Sequence, residues 1–187
     1  LELVAGGRVE GRACGTPAEI AETRVSLQRA ARVPGLVPRT TAPDPDGTFR
    51  FAEVEPGDWY VSKEWRIPTG DRSYYLQGTS EMRTVSVSAD ATARTSIGCE
   101  GLPVTGRVLV NGSPFAGAYG ELTLEGRFGA LLRTDEAGAF LARVPRAGAY
   151  ALTIVFPTGV SNLPPSEDRC MATPGGATGC DFRFYAP

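Results

Sequence analysis

The stretch Asp44-Pro45-Asp46-Gly47-Thr48-Phe49-Arg50-Phe51-Ala52-Glu53-Val54-Glu55-Pro56-Gly57-Asp58-Trp59-Tyr60-Val61 returns later as Asp135-Glu136-Ala137-Gly138-Ala139-Phe140-Leu141-Ala142-Arg143-Val144-Pro145-Arg146-Ala147-Gly148-Ala149-Tyr150-Ala151-Leu152. Gly47 and Gly138, Phe49 and Phe140, Gly57 and Gly148, and Trp59 and Tyr150 all stand 91 positions apart (138 − 47). Each copy reads as turn, strand, turn, strand. Glycine supplies the positive φ that Pro45-Asp46-Gly47 and Pro56-Gly57 need, and proline pre-sets its own φ. Alternation then sends Phe49 and Phe51 to a core face, and Trp59 and Val61 to one side with Tyr60 on the other. A period near ninety residues exceeds the ~20–50 of a solenoid unit. The expectation is therefore two tandem all-β domains, residues 1–100 and 101–187.

Working outward, Leu3 to Val9 is expected as a first strand, with Cys14 just after it, and Thr23 to Gln28 as a half-buried strand with Val25 and Leu27 inward. Ala18 to Arg24 has room only for a short helical turn. Ala30 to Pro45 carries Pro34, Pro38, Pro43 and Pro45 and reads as loop or edge, since proline cannot donate to a ladder. Thr69 to Thr79 is expected as a polar loop holding Tyr74 and Tyr75. Val85 and Val87 alternate inward, Ala89-Asp90 turns, and Ala93, Thr95 and Ile97 lead to Cys99. Glu100 to Pro103 is a short link. The second half opens at Thr105 to Val110, turns at Asn111-Gly112, and continues with Leu122 and Leu124 inward and Tyr150, Leu152 and Ile154 on one face. Pro157 to Gly179 reads as a long loop, before Phe182 and Phe184 close the domain.

Composition narrows the function. The 19 basic and 21 acidic residues leave a net charge of −2 and are scattered along the sequence, so no basic stripe points to nucleic acid or an anionic membrane. No apolar run approaches the ~20 residues that span a bilayer, and Leu1 to Glu10 lacks the pattern of an export signal. Histidine is absent, which removes Ser-His-Asp and Cys-His nucleophilic sites and His-ligated metals. An enzyme would need a carboxylate pair, a thiolate or the only lysine, Lys63. No such constellation is visible, and neither a cofactor nor a metal site is expected.

Four cysteines, Cys14, Cys99, Cys170 and Cys180, allow three connectivities. Cys14 to Cys99 and Cys170 to Cys180 is favoured because each bridge then stays within its own repeat; four reduced buried thiols are the alternative. Bridges of this kind imply an oxidising compartment: periplasm, cell surface or medium.

The order Gly-x-Val, Val-x-Leu strand, Asp-x-x-Gly-x-Phe, then Pro-x-Gly or Ala-Gly before an aromatic strand resembles the carboxypeptidase regulatory-like domains. These group with transthyretin-like (prealbumin-like) sandwiches and with the collagen-adhesin B-type repeats. The resemblance implies two Greek-key β-sandwiches of about seven strands each, with an accessory role in a larger secreted or surface-anchored bacterial protein. The Lys to Asn isopeptide bond of B-type repeats has no residue pair here: the first half has Lys63 but no asparagine, and the second has Asn111 and Asn162 but no lysine.

Three groups compete as sites. Asp44, Asp46, Glu55 and Asp58 suit calcium or, more simply, turn formation. Trp59 matches Tyr150 and belongs to the core. Trp65, Tyr74 and Tyr75 are the candidate binding residues, able to stack on sugars or anchor a protein, with ordinary packing as the alternative. The Cys170 to Cys180 segment is either a recognition tip or a stapled insertion. The expected function is a non-enzymatic interaction or spacer module facing a protein partner or surface glycan, with no nucleic acid and no membrane insertion. A prealbumin-like carbohydrate-binding module is the alternative.

Overall fold

The computed structural model describes residues 5–31, 37–69, 72–77, 82–156 and 166–185. Apart from Pro68–Arg72, the chain divides into two compact units between Cys99 and Glu100. The first contains β1 (Gly7–Ala13), α1 (Pro17–Glu22), β2 (Thr23–Arg29), β3 (Arg39–Thr41), β4 (Thr48–Val54), β5 (Gly57–Thr69), β6 (Arg72–Gln77), β7 (Arg83–Val87) and β8 (Thr92–Ile97). One sheet runs β4-β1-β8. The other runs β3-β2-β5-β6, with β7 also pairing β5. Val9, Val25, Leu27, Phe49, Phe51, Trp59, Val61 and Ile97 fill the space between them.

The second unit contains β9 (Leu102–Val110), β10 (Ser113–Pro114), β11 (Tyr119–Leu124), β12 (Arg127–Arg133), β13 (Ala139–Val144), β14 (Gly148–Phe156), β15 (Cys170–Ala172) and β16 (Ala177–Phe184). In one sheet β9 lies between β13 and β16 and also pairs β10; the other runs β12-β11-β14-β15. Strand for strand this repeats the first unit: β13, β9 and β16 stand where β4, β1 and β8 stood, and β11, β14 and β15 where β2, β5 and β7 stood. The core is Val104, Val108, Leu122, Leu132, Phe140, Tyr150, Leu152 and Phe182.

The duplicated stretch forms equivalent strand pairs in both units, down to its hydrogen bonds. Trp59 Nε1 donates to the Glu55 carbonyl at 2.9 Å, and Tyr150 Oη donates to the Arg146 carbonyl at the same distance. Each aromatic thus buries its ring and returns its polar atom to the preceding turn. Gly47 and Gly138 take φ of 87° and 70°, which the turns require.

The first and last strands of each unit pair in parallel, Gly11 opposite Thr95 and Gly106 opposite Cys180. Both glycines are needed for this approach. A Cβ at Gly11 would stand 2.3 Å from the Thr95 carbonyl oxygen, and one at Gly106 only 1.9 Å from that of Cys180. The antiparallel neighbours opposite these glycines are Phe49 and Phe140.

Several expectations change. The first strand is Gly7–Ala13 and so runs past the expected end at Val9, because its inward set is Gly7, Val9, Gly11 and Ala13, and two glycines disguise the alternation; Leu3 and Val4 lie outside the described residues. Thr16 caps α1 in a capping box with Glu19, so the short helix is a defined corner leading into β2. The link shortens, since β9 begins at Leu102. The two-residue β10 and the hairpin partner β12 went unseen, and β3, β6 and β15 form within segments read as loop or edge. Within Pro157 to Gly179, residues 157–165 lie outside the described residues. The remainder is the edge strand β15 and a tight turn in which Thr173 and Gly176 exchange backbone hydrogen bonds, leading directly into β16.

Both disulfides follow the repeat-internal pairing, Cys14 with Cys99 and Cys170 with Cys180. The first joins the ends of the parallel strands β1 and β8; the second joins β15 in one sheet to β16 in the other. Their loops differ, with sequence separations of 85 and 10. On loop entropy, replacing Cys14 and Cys99 by alanine is expected to cost ~4–5 kcal/mol, and the Cys170 and Cys180 pair ~2.5–3 kcal/mol. Urea unfolding of the two double variants reads the difference. Gly106→Ala is expected to destabilise by about 1–3 kcal/mol through overpacking, seen as a lower thermal midpoint.

Candidate functional site

Trp65 lies within β5 and is only 3% exposed. It occupies the same side of the strand as Trp59, Val61 and Lys63, so it offers no open ring face for stacking. Tyr74 and Tyr75 belong to β6 rather than to a loop. Consecutive aromatic residues suit the pleated strand that returns beside β5, and their side chains lie outside what the structure describes. Trp65 is therefore not part of an exposed aromatic platform of the kind expected from sequence.

Lys63 is buried beside Trp65. Its Nζ donates to the Cys14 carbonyl at 2.9 Å and stands 5.0 Å from the Trp65 ring centroid. The only lysine thus braces the strand end that carries the Cys14–Cys99 bridge. On the neighbouring strand Arg24 Nε donates to Glu64 Oε2 at 2.9 Å. All four cysteines are in disulfides. The nucleophiles that the sequence offered are therefore a buried ammonium and sulfurs already bonded to one another.

The acidic residues of the duplicated stretch separate. Asp44 and Asp46 precede β4 while Glu55 and Asp58 follow it, about 20 Å away for a seven-residue strand. Each has a local partner. Thr48 donates its amide and its hydroxyl to Asp46 Oδ1, which holds that carboxyl below its usual pKa. The Thr48 hydroxyl also lies 3.2 Å from Asp44 Oδ2, Glu55 pairs with Arg29, and Asp58 accepts from the Ser86 hydroxyl. Among the described residues no group of three or more acidic or sulfur side chains converges on a metal position. None of the described helices is long and apolar enough to cross a membrane.

A feature the sequence did not announce lies on the outer face of the β4-β1-β8 sheet. Arg8, Glu10 and Arg12 alternate outward on β1, and register sets Arg50 and Arg94 on either side of Glu10. Residues far apart in the chain, and scattered when read in order, become one basic face. Glu10, Arg12, Asp44, Thr48, Arg50 and Arg94 border a depression of about 560 Å³. Glu10 accepts from Arg50 Nε at 3.2 Å, and Arg12 Nε reaches the Asp46 carbonyl at 3.3 Å. On the equivalent sheet of the second unit two of the three outward arginines are held by aspartates, while Arg143 donates to the Gly101 carbonyl. Arg107 pairs with Asp181, lowering the acid's pKa and raising the guanidinium's, and Arg183 pairs with Asp168.

Replacing Lys63 by methionine keeps the apolar stem but leaves the Cys14 carbonyl without its donor. A loss of about 1–3 kcal/mol in the stability of the first unit is expected, read from its urea midpoint.

No family model matches the sequence, and no curated protein matches it. Similar folds occur among solved structures. A putative carbohydrate binding protein from Pseudomonas aeruginosa shares 17% identity over 51% of this chain and 90% of that one, with a TM-score of 0.33. A minor pilin of Streptococcus agalactiae shares 12% over 97% of both chains, with a TM-score of 0.42. Two B repeat units of the collagen binding protein of Staphylococcus aureus share 8% over 99% of this chain and 49% of theirs, with a TM-score of 0.28. These likenesses are too distant to carry an argument about what the chain binds.

Proposed function

We propose that the chain is a non-enzymatic module of an oxidising compartment, extracellular, cell-surface or periplasmic, made of two tandem transthyretin-like domains, 1–100 and 101–187. It serves a larger secreted or surface-anchored bacterial protein as a spacer and interaction element. The observation that carries this reading is the pair of disulfides, one inside each unit. Small domains bury too little apolar surface to be robust unaided, and such bridges persist only where thiols are not kept reduced. The absence of histidine and the engagement of Lys63 and all four cysteines in structural roles support the non-enzymatic part.

Sugar stacking on Trp65 loses its support because that ring is buried. Trp65→Ala is therefore expected to lower stability without a separate effect on any polysaccharide binding.

The compartment is tested directly. Protein recovered from its native cells should reside in the envelope or medium fraction and show no alkylatable thiol in non-reducing mass spectrometry. Four alkylated cysteines would overturn the reading.

A further inference from the structure

We infer that the outer face of the β4-β1-β8 sheet binds an acidic polysaccharide, a chain bearing uronate carboxylates or sulfates. This rests on the reading above, since the ligand must share the compartment in which the disulfides persist. Arg8 and Arg12 lie two residues before and after Glu10 on β1, and Arg50 and Arg94 lie opposite it on the flanking strands. Alternate residues of a strand are ~6.5–7 Å apart and neighbouring strands ~4.8 Å, so four guanidinium groups surround one carboxylate.

That carboxylate neutralises only one of them. Glu10 is held by Arg50, Arg12 spends its Nε on a backbone carbonyl, and Arg8 and Arg94 form no ion pair among the described residues. Four arginines against Glu10 and Glu53, the outward carboxylates of the three strands, leave the sheet face with a surplus of +2 (4 − 2). Asp44 and Asp46 stand at one rim, where Thr48 engages both. The guanidinium fork matches carboxylate and sulfate oxygens in a bidentate manner.

The rest of the face decides which polyanion fits. Apart from Glu53, which lies at the Arg8 end, its other outward residues are Thr48, Ala52, Thr92 and Ser96, small and mostly hydroxylated. A protein partner gains most of its affinity from tryptophan, tyrosine and arginine anchors seated in desolvated pockets, and here the arginines stand on an open sheet with no aromatic ring among the outward residues. Single-stranded nucleic acid needs an aromatic platform for its bases, also missing here. Hydroxyls and cations on an open sheet suit a hydrated chain of sugars with recurrent negative charge.

The test uses the whole chain with heparin and polygalacturonate as acidic probes, and with dextran, polyglutamate and duplex DNA for comparison. Both acidic polysaccharides should bind, more weakly as salt rises, and dextran should not. Arg8→Glu with Arg94→Glu should weaken binding by about tenfold or more. Arg127→Glu with Arg143→Glu, which changes net charge equally on exposed positions of the second unit, should leave it unchanged. Thermal midpoints verify folding, and the milder Arg8→Gln with Arg94→Gln replaces the first pair if it misfolds. Equal weakening in both charge-reversed proteins, or tighter binding of polyglutamate or DNA than of polysaccharide, would overturn the assignment. Silence toward both acidic probes with the disulfides intact would overturn it while leaving the module reading standing; free thiols in the native protein would sink that reading instead.

Discussion

The architecture of each unit depends on the parallel ladder between its first and last strands. A parallel pair cannot be closed by a tight turn, so every intervening element must lie between its two members in sequence and wrap around them in space. Gly11 and Gly106 make the ladder possible, since any side chain there would collide with the backbone of the partner strand. The second sheet then packs across this three-stranded layer, and the two inner faces supply the core.

Around that constant frame the two units distribute similar tasks to different residues. The turn before β4 is held by the carboxylate of Asp46, whereas the turn before β13 is held by Asp135, whose Oδ1 accepts from the amides of Ala137 and Ala139. The hydrogen bond from the buried aromatic to the carbonyl four residues earlier survives the change from tryptophan to tyrosine. A disulfide pins the parallel ladder in the first unit and bridges the two sheets in the second. What recurs is the geometry of the turns and the approach of the strands, and that is what made the duplication visible.

Turn chemistry with period-2 alternation is local, and it was readable: the strands around Phe49, Trp59, Phe140 and Tyr150, the Asn111-Gly112 and Ala89-Asp90 turns, and the internal pairing of the cysteines. Elements defined by their partners were not. β3 and β15 have three residues each and exist as edges of longer neighbours, and β6 depends on the extension of β5. Trp65 was misjudged because it was placed at the loop after the strand around Trp59, whereas β5 runs on to Thr69 and keeps it on the inward side. The arginine face was invisible for a related reason. It requires the register of three strands whose residues are separated by up to 86 positions (94 − 8), which no local pattern encodes.

The Cys14–Cys99 bridge also determines how the first unit carries tension. Parallel strands place the start of β1 and the end of β8 at opposite ends of the ladder, so a pull on the chain loads their hydrogen bonds together in shear. The bridge stands where β1 ends and β8 ends, and gives force a covalent path from one strand to the other. The loop of 85 residues by separation, with its sheet of β3-β2-β5-β6, is thereby kept out of the line of load. The second unit has no such bypass: Cys180 is tied to β15 and not to β9. Under tension it would yield length that the first cannot.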